Sequence, residues 1–342
     1  MLAVDLGGRT TKAVLLQRNG SETYVLSQYA ILDAPIYDKS LSAEMLGEHL
    51  KALCQSMAGR SKYVTLTLGV NDAVTRLLEM PQIPVSDMRQ VIKMNTKNYL
   101  QQDLPGHVFD CFIIPPRAPK AGEEKKSKPT VQKFRVLVAG ARRQLTDAVL
   151  AAARSAGLVA ENLVPGLVGP MNAFERAQPE MFSKEVVALI DIGFKSTTVS
   201  ILHEGELLLS RVVSMGGDRL TNGLADALGI SYAEAEGIKV GMPMEVQAQL
   251  EALITPLGRD LRASIDFFEH QHDKTVGHVF ISGASANSEF IVQHLQSHLM
   301  MECKTWNPLS FLQVSLPPQQ MAEVEHVASQ LGVAVGAALA AI

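Results

Sequence analysis

Apolar positions along the chain group first into three short runs. Leu2–Leu6, Lys12–Arg18 and Glu22–Ala30 read as strands, with turns at Gly7-Gly8 and Asn19-Gly20; the second turn is a strong hairpin signal. Ser42 then caps an amphipathic helix that gathers Met45, Leu46, Leu50, Leu53 and Met57 on one face and ends near Gly59. Tyr63–Leu68, alternating and β-branched, returns to the sheet. Strands, a crossover helix and a further strand predict an α/β domain.

The next segment breaks that rhythm. Val74–Met80 reads as a strand, Pro81 and Pro84 punctuate, and Ser86 is expected to cap a helix running to about Gln102. Val108–Ile114 and Lys133–Gly140 are strands around a polar, charged stretch from Pro115 to Gln132 that holds Lys120, Glu123, Glu124, Lys125, Lys126 and Lys128. That stretch reads as a solvated hairpin tip. Leu145–Ala156 is a helix stopped by Gly157. Beyond it, Val186–Asp191 and Leu207–Met215 are strands, and helices are expected over Arg219–Leu228 and around Ala233–Lys239. A long helical stretch runs from Pro243 to about His272, with a break expected at Pro256-Leu257-Gly258. A strand, His278–Ser282, ends in Gly283-Ala284-Ser285 and leads to a helix reaching Leu299.

The chain repeats one pattern half a length apart. Val4-Asp5-Leu6-Gly7-Gly8-Arg9-Thr10-Thr11-Lys12 overlies Ile190-Asp191-Ile192-Gly193-Phe194-Lys195-Ser196-Thr197-Thr198 without a gap, and each copy runs on into another apolar run. Each reads as strand, tight turn, strand, with an Asp at the strand end. Backbone N–H groups of such a turn form a concavity for phosphate, while the Asp faces a hydrated metal ion. One D-x-G turn is ordinary turn chemistry. Two in register predict a pair of facing phosphate-binding hairpins, an arrangement that resembles the actin, Hsp70 and sugar-kinase superfamily.

Composition narrows the class. The 342 residues suffice for two cores, and 47% hydrophobic with 5% aromatic content suits an aliphatic α/β protein. A net charge of −4 gives no reason to expect nucleic acid. Cys54, Cys111 and Cys303 are scattered and read as core or incidental thiols of a reducing compartment. A signal peptide is not expected, since the first strand begins almost at Met1. The apolar stretch Leu331–Ile342 is too short to span a bilayer and lacks a basic face, so a packed final helix is expected.

Across nearly its whole length the chain resembles the PilM family of type IV pilus assembly, itself close to the cell-division protein FtsA. The likeness rests on VDLGGRTTKAV, the Met80–Leu104 segment, VLVAGARRQLTDAVLAAARSAGLVAENLVP, IDIGFKSTTVSI, MGGDRLTNGLADALGISYAEAEGIK, LRASIDFF, ISGAS, WNP and LGVAVGAAL. It implies an actin-like ATPase fold of two RNase-H-like lobes with an FtsA/PilM-type 1C subdomain. Subdomain 1A would begin in residues 1–78, 1C would occupy 79–166, and 167–185 would return to 1A. Lobe 2 would take 186–342, with 2B inserted at about 217–275 and a final helix at about 331–342.

The resemblance also implies a ligand, ATP or ADP with Mg. Asp5 and Asp191 would order the metal through water. Gly7, Gly8, Thr10 and Thr11 would cradle phosphate opposite Gly193, Lys195, Ser196 and Thr197, and Lys12 would reach the β- or γ-phosphate. Gly216 and Gly217 would lie near sugar and phosphates, Glu236 and Lys239 would address the ribose, and Arg262, Gly283, Ala284 and Ser285 would border the adenine. Three departures stand out: Gly8-Arg9 and Phe194-Lys195 where the family carries small residues, and Ala284 for a glycine. Arg9 and Lys195 are expected to reach solvent. No residue identifies itself as a general base, so weak or no ATPase activity is expected.

The function implied is a cytoplasmic scaffold, peripheral to the inner membrane through a PilN-like protein whose N-terminal peptide lies in a groove between 1A and 1C. Self-association is open; nucleic acid and direct membrane insertion are not expected. The alternatives are an FtsA-like filament-forming ATPase, a small-molecule kinase of the same fold and a pseudo-ATPase scaffold. His294 and His298 have the spacing of a helical metal pair, but a solvated face is the expected role. His270 and His272 do not share a helix face.

Overall fold

The computed structural model describes residues 1–20, 23–35, 42–57, 61–115 and 133–342. The expected charged hairpin tip therefore lies, past Pro115, outside the described residues, as do Glu22 and the helix end near Gly59. The chain divides into two units, Met1–Asn71 with Leu150–Ile342, and Asp72–Val149.

In the first unit, β1 (Leu2–Leu6), β2 (Thr10–Asn19) and β3 (Thr23–Asp33) form an antiparallel meander, followed by α1 (Ala43–Ser56) and β4 (Tyr63–Leu68). Ser42 caps α1 by accepting from the Met45 N–H at 3.1 Å. Leu46, Leu50 and Leu53 are buried at helical spacing, whereas Met45 stays exposed.

The second unit consists of β5 (Ala73–Pro81), α2 (Val85–Met94), α3 (Thr96–Leu100), β6 (His107–Ile114), β7 (Lys133–Arg142) and the start of α4 (Arg143–Ser155). Its sheet runs β5-β7-β6, antiparallel throughout. Met88 and Ile92, four apart on α2, pack with Met80, Leu100, Cys111, Val136 and Val138 in a core of its own. Burial there pushes the Cys111 thiol up to about 11, so it stays a protonated packing residue. Two expectations are corrected here. The helix starts behind Pro84 rather than Ser86, because the Pro84 carbonyl already accepts the Asp87 and Met88 N–H groups of the first turn, and it breaks at Asn95.

After α4 the chain continues in the first unit with β8 (Val159–Pro165), α5 (Val168–Ala177), α6 (Pro179–Lys184), β9 (Val186–Ile192), β10 (Thr197–His203) and β11 (Glu206–Val213). Then come α7 (Gly217–Leu228), α8 (Tyr232–Gly241), α9 (Gln247–His272), β12 (His278–Ser282), α10 (Glu289–Leu299), β13 (Cys303–Thr305), β14 (Gln313–Val314), α11 (Pro318–Val327) and α12 (Gly332–Leu339). Strand β8 pairs in parallel with β4, and residues 150–166 belong to the first unit.

The first unit holds two sheets, β14-β3-β2-β1-β4-β8 and β11-β10-β9-β12-β13. They repeat one plan. A three-strand antiparallel meander leads each, and the first strand of each meander takes parallel partners on its other side, β4 beside β1 and β12 beside β9. Under the second sheet, Leu250, Ile254, Leu257, Leu261, Ile265 and Phe268 of α9 recur every three to four residues and are fully buried against Ile190, Ile192, Val199 and Ile201. Each such aliphatic side chain contributes about 2 kcal/mol of burial. This stripe explains why α9 runs unbroken through Pro256: proline removes one backbone bond, and the helix keeps its apolar face. At the first sheet, α12 packs on β1, β2, β4 and α5, with Ala334, Val335, Ala337 and Ala338 fully buried. It meets α5 backbone to backbone, since a Cβ on Gly336 would lie 1.8 Å from the Gly169 carbonyl oxygen.

Candidate functional site

The first hairpin turns at Gly7-Gly8-Arg9 between β1 and β2. Its register sets Asp5 opposite Lys12, so both side chains stand on one face of the strand pair. Lys12 Nζ donates to Asp5 Oδ2 and to the Thr10 carbonyl, each at 3.2 Å. On the parallel neighbour β4, Thr67 lies in register with Asp5, and its hydroxyl donates to Asp5 Oδ1 at 3.0 Å. The carboxylate is thus buried but bonded on both oxygens. A Cβ at Gly7 would lie 2.5 Å from the Thr10 carbonyl oxygen and 2.9 Å from Lys12 Nζ, so only glycine lets the turn close over the ion pair.

The second hairpin copies the backbone and changes the charges. Asp191 lies opposite Thr198 rather than a lysine, and Ser282 of the parallel strand β12 is in register with it. The Ser282 hydroxyl donates to Asp191 Oδ1 at 2.9 Å. Burial pushes the Asp191 carboxyl above the usual aspartate range; the Ser282 bond opposes this, the nearby Asp5 charge adds to it and Lys12 opposes it. Asp191 therefore lies within electrostatic range of the first hairpin's charges.

The second turn is docked on a helix. Gly193 N–H bonds the Ser196 carbonyl at 3.0 Å, while the N–H groups of Gly217 and Asp218 at the start of α7 reach the Gly193 and Phe194 carbonyls at 3.0 and 2.9 Å. A Cβ at Gly216 would lie 2.4 Å from the Phe194 carbonyl oxygen. Around the same helix start, Lys239 Nζ donates to Glu236 Oε2 and Thr221 Oγ1, each at 2.7 Å, and the Thr221 hydroxyl donates to the same Glu236 oxygen. The α8 helix that carries Glu236 and Lys239 is held at its N-terminus by a capping box of Ser231 and Glu234. A Cβ at Gly217 would come within 3.0 Å of Ser285 Oγ and 3.9 Å of Lys239 Nζ, so these three expected ligands gather. Gly283 has φ +91°, and a Cβ there would lie 2.4 Å from the Ile192 carbonyl oxygen at the end of the Asp191 strand. Ala284 and Ser285 follow it in a short 3₁₀ turn.

Some expected ligands are turned elsewhere. The Thr11 hydroxyl meets His49 Nε2 of α1 at 2.8 Å, and burial lowers that imidazole's pKa. Thr197 donates to the Met215 carbonyl at 2.7 Å and is fully buried. Ser196 accepts from Asn71 Nδ2 at 3.2 Å. Lys195 is exposed, as expected. Arg262 donates to Asp266 Oδ1 at 2.8 Å, Glu269 Oε2 at 3.3 Å and the Leu299 carbonyl at 3.0 Å. Leu299 ends α10, about 16 Å along the axis from its start beside Ser285, so Arg262 serves as a clamp between α9 and α10. Arg9 is exposed, as expected, and its guanidinium also spans to α8, with Nη1 3.7 Å from Glu236 Oε1 and 3.5 Å from the Tyr232 hydroxyl, while its Cζ lies 5.7 Å above the Phe194 ring.

His294 and His298 are not a solvated face either. Their rings pack 5.0 Å apart, Thr255 meets His298 Nε2 at 3.3 Å, and burial lowers the His294 pKa. No group of three or more metal-ligating His, Cys, Asp or Glu side chains occurs among the described residues. Sequence reasoning missed Thr67, Ser282, Thr221, Tyr232, His49 and Asn71. For the first two a signal existed: each is a hydroxyl residue at the end of an apolar strand run, just ahead of a glycine (Thr67-Leu68-Gly69 and Ser282-Gly283).

Two sheets of one plan, each carrying an Asp-and-glycine hairpin at the equivalent place, make an actin-like fold of two RNase-H-like lobes. Within that class, the model of the type IV pilus assembly protein PilM family matches residues 3–342, and the chain belongs to that family. Solved structures agree in fold. A chain of the PilM–PilN type IV pilus biogenesis complex superposes with a TM-score of 0.84 at 21% identity, over 99% of this chain and 97% of that one. MreB5 of Spiroplasma citri bound to AMPPNP gives 0.53 at 11% identity over 99% and 94%. The cell division protein FtsA of Bacillus subtilis (strain 168) is 43% identical over 53 residues, which are 16% of this chain and 12% of that protein's length. No helix among the described residues is long and apolar enough to cross a membrane.

Proposed function

We propose that the protein is an ATP- or ADP-binding scaffold of the type IV pilus inner-membrane assembly platform. In this reading it docks the N-terminal peptide of a PilN-like membrane protein and lies at the cytoplasmic face of the inner membrane through that partner. The PilM–PilN complex among its structural relatives supports the partner, and MreB5 structures holding AMPPNP or ADP support the ligand. One observation carries the nucleotide reading: Asp5 and Asp191 stand at equivalent ends of two repeated hairpins, close enough that the charge on Asp5 raises the pKa of Asp191.

The residues fit such a ligand. Two carboxylates suit magnesium, which keeps most of its waters and is held by one or two carboxylates plus phosphate. Bound there, the ion supplies positive charge against the phosphate oxygens. Lys12 is held by Asp5 within reach of the turn, and exchanging one carboxylate for a phosphate oxygen conserves its ion pairing. Gly7 and Gly193 leave the turn backbones open to the phosphates; Gly217, Glu236 and Lys239 address the ribose; Gly283, Ala284 and Ser285 border the base.

The test is calorimetry of ATP and ADP with magnesium on wild type and on a double variant, Asp5→Ala with Asp191→Ala, repeated for a partner N-terminal peptide with and without nucleotide. Saturable nucleotide binding that the double variant loses is the expected result. A folded wild type that binds the peptide and no nucleotide would leave a nucleotide-independent scaffold.

A further inference from the structure

Arg9 occupies a position that neither the phosphate hairpin pattern nor the ribose element explains. It sits at the apex of the first turn, its backbone fixed because its carbonyl accepts from the Ala34 N–H at 2.7 Å. From there the side chain leaves its own hairpin, crosses the face of Phe194 on the second hairpin, and ends between Glu236 and Tyr232 on α8. The hydrogen-bond inventory of that end is specific. Glu236 Oε2 is taken by Lys239 and Thr221, which leaves Oε1 for Arg9. The Tyr232 hydroxyl gives its single proton to Asp218 Oδ1 at 3.0 Å, so it can only accept from Arg9. The contact is long and half-exposed, a geometry that holds but releases easily. Asn71, in the turn after β4, adds a second link to the second hairpin through Ser196.

We infer that Arg9 is a strap across the mouth of the clasp: it ties the first turn to α8 in the nucleotide-free protein and occupies the carboxylate oxygen that a ribose hydroxyl would need. Ribose binding at Glu236 then competes with the Arg9 contact, which must lengthen or give way as the ligand enters. The strap itself is independent of the nucleotide reading; the competition rests on it.

The experiment has two arms. Hydrogen exchange by mass spectrometry on nucleotide-free wild type, Arg9→Gln and Arg9→Ala reads the strap directly. Residues 7–10 and the start of α8 are expected to exchange about fivefold faster in both variants, the scale of one exposed ion pair plus one cation–π contact. Strand β10 is expected to exchange at the wild-type rate. Unchanged exchange at the turn and α8 would overturn the strap. Calorimetry with adenosine and with ADP reads the competition: both ligands are expected to bind about threefold to fivefold tighter to Arg9→Gln. Weaker ADP binding with adenosine unaltered would make Arg9 a phosphate contact and overturn the competition. Faster exchange with no binding of either ligand by any form would support the strap and overturn the nucleotide assignment instead.

Discussion

In the first hairpin Asp5 looks across the strand pair at Lys12; at the matching place in the second hairpin Asp191 looks at Thr198. The backbones, the hydroxyl donated from the parallel neighbour and the glycine turn are shared, and the counter-charge is not. One lobe therefore carries a balanced buried ion pair, while the other holds a desolvated carboxyl whose ionisation is opposed by burial and by Asp5. A site built this way lacks one positive charge, which in the proposed reading a bound cation would supply. The scaffold is repeated, and the residue across the strand pair from the aspartate, Lys12 in one hairpin and Thr198 in the other, divides the electrostatic roles.

The sharpest way to break this comparison is to remove each carboxylate in turn. Asp5→Ala leaves the Lys12 ammonium mostly buried without its partner and is expected to cost about 3 kcal/mol in urea unfolding at neutral pH. Asp191→Ala strands no cation and is expected to cost far less; equal losses would mean that the two hairpins are electrostatically alike. Next in size is the turn glycine. A Cβ at Gly7 meets backbone oxygen at 2.5 Å, whereas at Gly193 the nearest atom is the Ser196 carbonyl oxygen at 3.0 Å. Gly7→Ala should lower stability by about 2 kcal/mol and Gly193→Ala by about 1 kcal/mol, read from the same unfolding curves.

The smallest effect concerns pH. Because the folded-state pKa of Asp191 is raised above the ordinary 3.8, the folded protein binds that proton more tightly than the unfolded chain. This contribution to stability is full below 3.8 and is lost as pH rises through the raised value. Asp191→Asn should remove that decline and leave the nucleotide-free protein slightly more stable at neutral pH, by no more than about 1 kcal/mol. Thermal melts across pH 3 to 8, roughly the range over which carboxylates titrate, would show it. A variant that follows the wild-type profile would return Asp191 to ordinary behaviour.

Much of this was legible beforehand. The repeated D-x-G turn fixed both hairpins, because a period-two pattern and a glycine turn are local properties. β8 escaped notice since Glu161 and Asn162 interrupt its apolar pattern; it is an edge strand held by pairing with β4. The expected break of α9 at Pro256 failed because a continuous buried stripe outweighs one lost hydrogen bond. The side-chain assignments of Thr11, Thr197, Arg262 and Arg9 depended on partners 18 to 227 positions away or on which way a rotamer turns. A motif records residue type at a turn; it does not record which neighbour reaches the side chain first.

The glycine contact between α5 and α12 bears on how the molecule is made. The strands that present Asp5 and Lys12 are synthesised more than 300 residues ahead of the helix that covers them, residues 332–339. Until α12 docks, the first sheet exposes an apolar face, and its closest neighbour surface on α5 has no room for any substitute bulkier than glycine. Completion of the first lobe is thus a late event with high contact order, and the incomplete chain must be kept from aggregating until then.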